Sequence, residues 1–252
     1  MANIYNYPKY YEIAFAFRNI EKEVNVFEEC CRKYSTIQLK TFLEIGCGNS
    51  PHMKEILNRG YAYRGIDLNE RMIKYSLKKV THTDNVKIYK ANMVDFKIND
   101  VAQFAFINLG SLYVKTTTEI VSHFKSIGHC LSKGGLYFLD SCVRYYSLSE
   151  SIDHWVMKKN GITVETTYTP MAIDPFEQTV LEKIELKVNE NGKKKVITTN
   201  EIKRDIYPQE FLRIIEHETP FEFVGWWNNW NLLDPIPTKN RINRPIIVVR
   251  KR

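Results

Sequence analysis

Between residues 41 and 142, short apolar runs alternate with amphipathic segments of helical period, and only a few residues separate each from the next. "TFLEI", "YAYRGID", "VKIYKAN", "FAFINLG" and "LYFLDSCV" read as buried strands, while "SPHMKEILNRG", "NERMIKYSLKKV" and "TEIVSHFKSIGHCL" read as helices. Parallel strands cannot be joined by a tight turn, so a strand–helix–strand alternation folds by crossing over the sheet with a helix each time. The alternation therefore restricts this chain to the α/β class, with a mostly parallel, doubly wound sheet and helices on both faces.

The regions outside this stretch read differently. Ahead of it, Ile20, Val24, Phe27, Cys31 and Tyr34 recur at steps of four and three, which marks one face of a helix within residues 10–34. Behind it, "GITVETTYTPM", "FEQTVLEKIELKVNE" and "KKVITTNEIKRDIY" read as three strands, the last two joined at Asn191-Gly192, a strong hairpin signal. "PQEFLRIIEHE" returns to helix, opened by Pro208, and "FEFVGWW" and "RPIIVVRK" read as two closing strands. The expected organisation is a core at 1–150, an antiparallel β insertion at 151–206 forming a lid or wall, and a helix and strands at 207–252 completing a seven-stranded sheet.

A chain of 252 residues suits one large α/β domain with an insertion. The N-terminal stretch lacks the features of a signal peptide and no apolar run is long enough to span a bilayer, so the expectation is a cytoplasmic protein. Five cysteines without a C-x-x-C spacing point to neither a disulfide framework nor a metal site. The net charge of +7 keeps nucleic acid among the partners to weigh. Its distribution argues against one, because the basic runs "NGKKKV" and "VVRKR" carry no interleaved aromatics.

The first strand-to-helix turn, "LEIGCGNSPHM" at residues 43–53, lies at the carboxyl edge of the sheet, where open α/β folds bind ligands. A dinucleotide loop needs G-x-G-x-x-G, and the third glycine position is Pro51. Proline has no amide hydrogen to donate and its ring fills space the motif leaves empty, which excludes that reading. Ser50 and Pro51 instead suit the cap and first position of a helix, and Gly60 its end. In E-x-G-x-G, Glu44 is suited to meet a ligand ammonium group directly or through water, while Gly46 and Gly48 let the backbone pass beneath a ribose and an amino-acid tail.

At these residues the chain resembles the class I S-adenosylmethionine-dependent methyltransferases, in particular a small-molecule branch with an inserted β module. The resemblance implies a Rossmann-like fold, S-adenosyl-L-methionine as cofactor and S-adenosyl-L-homocysteine as product. It assigns Glu44, Gly46, Cys47 and Gly48 to the first cofactor motif, and Asp67, 21 residues after Gly46, to the ribose hydroxyls. Leu68 and Met72 would flank the adenine, Asn92 would bond its exocyclic amine, and the Met93 backbone would face the ring. A carbonyl near Leu109 would meet the cofactor's amino group, and Tyr11 would close over it. Departures from the family pattern are Ser50 for a further glycine, Ala105 for a motif acid, and Asn92 for the adenine-loop acid.

A sulfonium methyl is already activated, so the protein's task is to hold an acceptor lone pair in line, with a base needed only where the acceptor must lose a proton. Acceptor-site candidates are Asn108, Tyr113, Asp140, Tyr145 and Trp226, with Cys142, Arg144, Tyr146, His154, Trp155, Trp227 and Trp230 nearby in sequence. Tyr113 and Asp140 are the catalytic candidates; a strand-end acid such as Asp140 has no packing reason to be there. "NLGSLY" replaces the N/D-P-P-Y/F tetrapeptide of the family's base N-methyltransferases, which favours a small-molecule acceptor. The alternatives are an RNA or protein methyltransferase, suggested by the charge, and a non-catalytic cofactor-binding protein, suggested by Ala105 and the lack of an evident base.

Overall fold

The computed structural model describes residues 3–81, 85–146 and 152–252. A 3-10 turn at Ile4–Asn6 leads into helices α1 (Pro8–Ala14) and α2 (Ile20–Tyr34). The single helix expected over residues 10–34 is thus broken, because Asn19 adopts an extended conformation and caps α2 by accepting from the Lys22 amide at 3.0 Å. The face read from its spacing does pack inward, with Val24 and Phe27 wholly buried.

The alternation then runs β1 (Thr41–Ile45), α3 (Met53–Asn58), β2 (Ala62–Asp67), α4 (Glu70–Leu77), β3 (Val86–Lys90), β4 (Ala102–Ile107), α5 (Thr117–Cys130) and β5 (Leu131–Asp140). Antiparallel strands follow: β6 (Asp153–Lys159), β7 (Ile162–Asp174), β8 (Thr179–Glu190) and β9 (Lys193–Arg204). The chain closes with α6 (Pro208–Glu218), β10 (Phe221–Trp227) and β11 (Ile246–Lys251).

The main sheet has seven strands in the order β10-β11-β5-β4-β1-β2-β3. β1 through β5 are parallel to their neighbours, and β11 enters antiparallel to both β5 and β10. Strand order reverses between β1 and β4, so the crevice of this doubly wound sheet opens beside the glycine turn. Period-two alternation along the central strands supplies two apolar layers. Leu43, Ala105 and Tyr137 face α5 and α6, while Phe42, Phe104 and Phe138 face α2. Phe27 of α2 seats among Phe104, Phe106 and Phe138 at ring-centroid distances of 5.1, 4.7 and 5.0 Å.

The second sheet has four strands, β6-β7-β8-β9, where three were expected. β6 is the strand not expected, because its residues are mostly exposed and show little apolar alternation. Asn160 and Gly161 join it to β7 with φ of 51° and 75°, the same left-handed pair that Asn191 and Gly192 form at 52° and 82°. The inner face of this sheet, with Val164, Leu186 and Ile197, packs on the N-terminal segment around Tyr5, Tyr11 and Ile13. The N-terminal segment is therefore held against the second sheet, and Ile4 donates its amide to Thr199 Oγ1 at 2.7 Å. All five cysteines are free. No helix among the described residues is long and apolar enough to cross a membrane.

Candidate active site

Gly46 and Gly48 carry the chain out of β1 with φ of +59° and +50°. A side chain is strained at both, and a Cβ on Gly46 would also stand 3.2 Å from the Met93 methyl. The turn is pinned to β2 by the Cys47 amide, which donates to the Ile66 carbonyl at 2.9 Å. Cys47 itself is buried against Gly65, where a Cβ would meet its sulfur at 2.9 Å. The helix beyond begins later than expected, at Met53 with His52 as its cap residue and no side-chain capping bond. Ser50 therefore does not cap α3; it adopts φ +47° in the preceding turn and its hydroxyl is buried without a partner among the described residues.

Asp67 ends β2 beside this turn. Its Oδ2 accepts from the Gly48 amide at 2.7 Å and its Oδ1 from the Asn69 amide at 2.7 Å. Asn69 rather than Asp67 caps α4, accepting from Arg71 and Met72. Burial raises the Asp67 carboxyl above its ordinary value, against the hydrogen bonds from Asn69 and Gly48. Asp67 lines the crevice, and each of its oxygens keeps acceptor capacity beyond the bond described.

Two cavities meet over the glycine turn and share Tyr11, Gly46, Gly48 and Ser111 as walls. One, of about 370 Å³, reaches Asp67, Leu68, Asn92 and Met93 on one side and Tyr5, Tyr113, Lys115 and Glu201 on the other. The second, of about 430 Å³, takes in Arg18, Glu44, Cys47, Asn108 and Leu109. Ten of the eleven residues assigned to the cofactor by resemblance thus line a common trough. Met72 does not: it is wholly buried beneath α4, because the cap at Asn69 turns that helix position inward. Asn92 spends its Oδ1 on the Val94 amide at 3.0 Å.

Glu44 faces the trough with both oxygens engaged. Oε1 meets His52 Nδ1 at 3.0 Å, and Oε2 accepts from the Tyr63 hydroxyl. His52 Nε2 meets Glu23 at 2.9 Å, and Glu23 also holds Arg18 and Arg244. Each Glu44 oxygen thus carries one protein partner and keeps acceptor capacity, and the residue lines the larger cavity. Arg18, whose side chain is 5 % exposed, brings the positive charge to this wall. Sequence reading missed Arg18, His52 and Glu23 because nothing local marks residues as partners when they stand 34 or 29 positions apart.

His123 was also missed. It donates from Nδ1 to the Met93 carbonyl at 2.7 Å and accepts from the Tyr137 hydroxyl at 2.8 Å, tying the adenine-side loop to β5. Burial lowers its pKa to about 4, so it is a neutral spacer rather than an acid–base group. Burial also pushes the Tyr11 hydroxyl up to about 12, with Asp67 and Glu44 adding to the rise and Arg18 opposing it.

The acceptor candidates divide sharply. Asn108 is 8 % exposed, lines the larger cavity, and leaves both its amide oxygen and its amide nitrogen without a partner among the described residues. Tyr113 lines the smaller cavity and donates to Glu182 at 3.3 Å. Asp140 is a correction: it is wholly buried and accepts from the Leu109 amide, Trp230 Nε1 and Arg244 Nη2, each at 2.9 Å. Its role is to hold the turn after β4 to the C-terminal loop. Trp226 packs on Tyr145 and Phe223, Trp227 on Tyr34, and Trp230 on Phe27 and Phe138, so the tryptophans build core rather than a cage. Tyr145, Tyr146, Cys142 and Arg144 line a separate cavity of about 380 Å³ behind the Gly110–Leu112 backbone. Trp155 donates to the Ala14 carbonyl at 2.7 Å, and His154 is exposed on β6.

Residues 42–135 match the family model described as a methyltransferase domain. A curated relative, "Putative methyltransferase YqeM" of Bacillus subtilis (strain 168), is 28% identical over 101 residues, 39% of this chain and 40% of its own length. The match thus spans less than half of that relative. Among solved structures, an S-adenosylmethionine-dependent methyltransferase from Clostridium acetobutylicum ATCC 824 superposes with a TM-score of 0.76 at 16% identity, covering 96% of each chain. CalS10 from Micromonospora echinaspora, described as an amino pentose methyltransferase, superposes with a TM-score of 0.74 at 13% identity, again over 96% of each chain. At such identities these structures establish the shared fold.

Proposed function

We propose that this chain, which carries a match to a methyltransferase domain at residues 42–135 and shares its fold with an S-adenosylmethionine-dependent methyltransferase, transfers a methyl group to a small-molecule acceptor held between the glycine turn and the second sheet. The observation that carries the proposal is the trough itself. Its floor has no side chains at Gly46 and Gly48, Asp67 stands at one end, and an orphaned Asn108 amide stands at the other. A buried amide without partners costs free energy until a ligand supplies them.

These residues fit the cofactor. Asp67, Leu68 and Met93 would hold its nucleoside, while Asn108, the Leu109 carbonyl and Arg18 would hold its amino-acid tail. The cofactor supplies a methyl group already activated by its sulfonium charge. The remaining work falls to the chain: Tyr11 and Tyr5 exclude water from above the turn, and Ser111 and Tyr113 orient the acceptor. The second sheet is the wall over that acceptor. The naming of one structural neighbour as an amino pentose methyltransferase supports a small polar acceptor of that kind.

No observation favours the RNA or protein alternative. The basic C terminus is spent internally, with Arg250 on Glu222, Lys251 on the Leu131 carbonyl and Arg252 on the Glu216 and Thr219 carbonyls. Calorimetric titration with S-adenosylmethionine tests the cofactor half, and absence of binding at millimolar ligand refutes it. Asp67→Ala removes a charged acceptor of hydrogen bonds and is expected to weaken binding roughly 100-fold; unchanged affinity would mean that the ribose lies elsewhere. A screen of amines, phenols, thiols and carboxylates for turnover to S-adenosylhomocysteine separates an enzyme from a non-catalytic binder.

A further inference from the structure

Glu182 of β8 and Glu201 of β9 are directly opposed partners in the second sheet. Both stand in the inward-facing series of their strands, among Val180, Ile184, Ile197, Thr199 and Lys203. Like charges placed directly across a strand pair are destabilising, and on an inner face the cost is larger because water screens them less. The two are treated very differently by their surroundings. Glu182, 6 % exposed, accepts from Tyr168 at 2.6 Å and from Lys203 at 2.6 Å, and Lys203 is itself anchored on the Gly110 carbonyl at 3.0 Å. Glu201 has no ion pair or hydrogen bond to its carboxylate among the described residues. It instead lines the smaller cavity, facing Tyr5, Tyr113 and Lys115 across from the glycine turn.

We propose that Glu201 is the catalytic proton acceptor of this site, receiving the proton of the methyl acceptor. The proposal rests on the methyltransferase reading of the trough. As the reaction proceeds, the proton leaves the acceptor's nitrogen or oxygen for a Glu201 carboxylate oxygen, and the electron pair of that N–H or O–H bond stays on the acceptor. A lone pair of the acceptor forms the bond to the methyl carbon, and the electron pair of the broken carbon–sulfur bond stays on sulfur. Charge balances: sulfonium and carboxylate become thioether and carboxylic acid, while the Lys203–Glu182 pair is unchanged.

The surroundings suit Glu201 to this task. Burial raises its carboxyl above the ordinary value, Glu182 adds to the rise, and Lys115 opposes it, which makes it a better base than a solvated glutamate. Tyr113 has Glu182 as an acceptor for its hydroxyl hydrogen at 3.3 Å, and with that hydrogen so placed its oxygen can accept from an incoming N–H or O–H group. A paired carboxylate behind an unpaired one thus divides the roles between structure and chemistry.

The test uses two cofactor analogues and needs no knowledge of the acceptor. S-adenosylhomocysteine lacks the methyl group, whereas sinefungin carries an amine at the transfer position. In titrations of the full chain, Glu201→Gln is expected to leave S-adenosylhomocysteine affinity within about twofold of wild type and to weaken sinefungin roughly tenfold, the value of one charge-assisted hydrogen bond. Its thermal midpoint should hold or rise, since the facing like charge is gone. Equal weakening of both analogues, no change in either, or a lowered midpoint would overturn the role of Glu201 while leaving the cofactor site standing. A wild-type protein that binds neither analogue would instead overturn the methyltransferase reading of the trough and this role with it.

Discussion

Asp140→Asn separates a structural from a chemical role for the acid at the end of β5. The substitution keeps the shape and one acceptor oxygen but removes the charge that Arg244 meets at 2.9 Å, and it turns an amide NH₂ toward groups that are themselves donors. Breaking a buried ion pair costs about 3–5 kcal/mol. Arg244 is 35 % exposed at its side chain and keeps Glu23 at 3.2 Å, so its stranded charge is partly solvated and the expected cost falls to about 2–3 kcal/mol. For a chain of this size that corresponds to a midpoint lowered by about 5–10 °C in thermal unfolding. The Leu109 amide loses its anchor too, and Leu109 is held at φ +56° on the cavity wall, so cofactor affinity should fall roughly tenfold. Adding Arg244→Met should restore part of the midpoint by removing the unpaired cation. A variant with the wild-type midpoint and affinity but no turnover would refute this reasoning and return Asp140 to the acceptor.

Stability should depend on acid in two windows. His123 is held neutral by burial with a folded pKa of about 4 against 6.5, so the unfolded chain binds the proton first and stability is lost as pH falls from 6.5 toward 4. His123→Gln should flatten that part of a urea-denaturation series. Burial raises the Glu23 carboxyl, but the hydrogen bonds and charges of His52 and Arg18 outweigh it and bring the folded pKa to about 2 from 4.5. Its stabilisation, about 3 kcal/mol by linkage, is complete above pH 4.5 and lost toward pH 2, a slope that Glu23→Gln should reduce, with Glu12, also lowered to about 2, supplying part of the remainder. Gly65→Ala would force a Cβ to 2.9 Å from the Cys47 sulfur and should destabilise by about 1–3 kcal/mol, with Cys47→Ala recovering most of it. Additive losses in the double variant would show that the glycine is required for another reason.

The alternation of strand and helix was legible because its signals are local: a period, a cap or a turn residue lies within ten positions of what it specifies. Thr116 and Asn69 cap helices whose starts their neighbours announce, and Asn191-Gly192 makes the hairpin its dipeptide implies. Where the local signal was weak the reading failed, as for the exposed strand β6, although Asn160-Gly161 carried the same hairpin cue. The break between α1 and α2 escaped because every residue of the helical spacing, from Ile20 to Tyr34, lies in α2, while Ile13 and Ala14 of α1 pack in a different cluster.

The candidate site divides along the same line. Gly46, Gly48, Asp67 and the position of Pro51 follow from short-range geometry, and the sequence alone was enough to point to this turn as a ligand site and to argue against a dinucleotide loop. Which charges remain available to a ligand was decided only by the tertiary structure. Asp140 meets Arg244 across 104 positions and Glu23 meets it across 221, so strand order and register, not spacing, consumed those groups. The same register set Glu201 opposite Glu182 and gave the neighbouring Lys203 to only one of them. A carboxylate's chemistry depends on which donors reach its oxygens, and donors brought from distant segments leave no trace in the residues beside it.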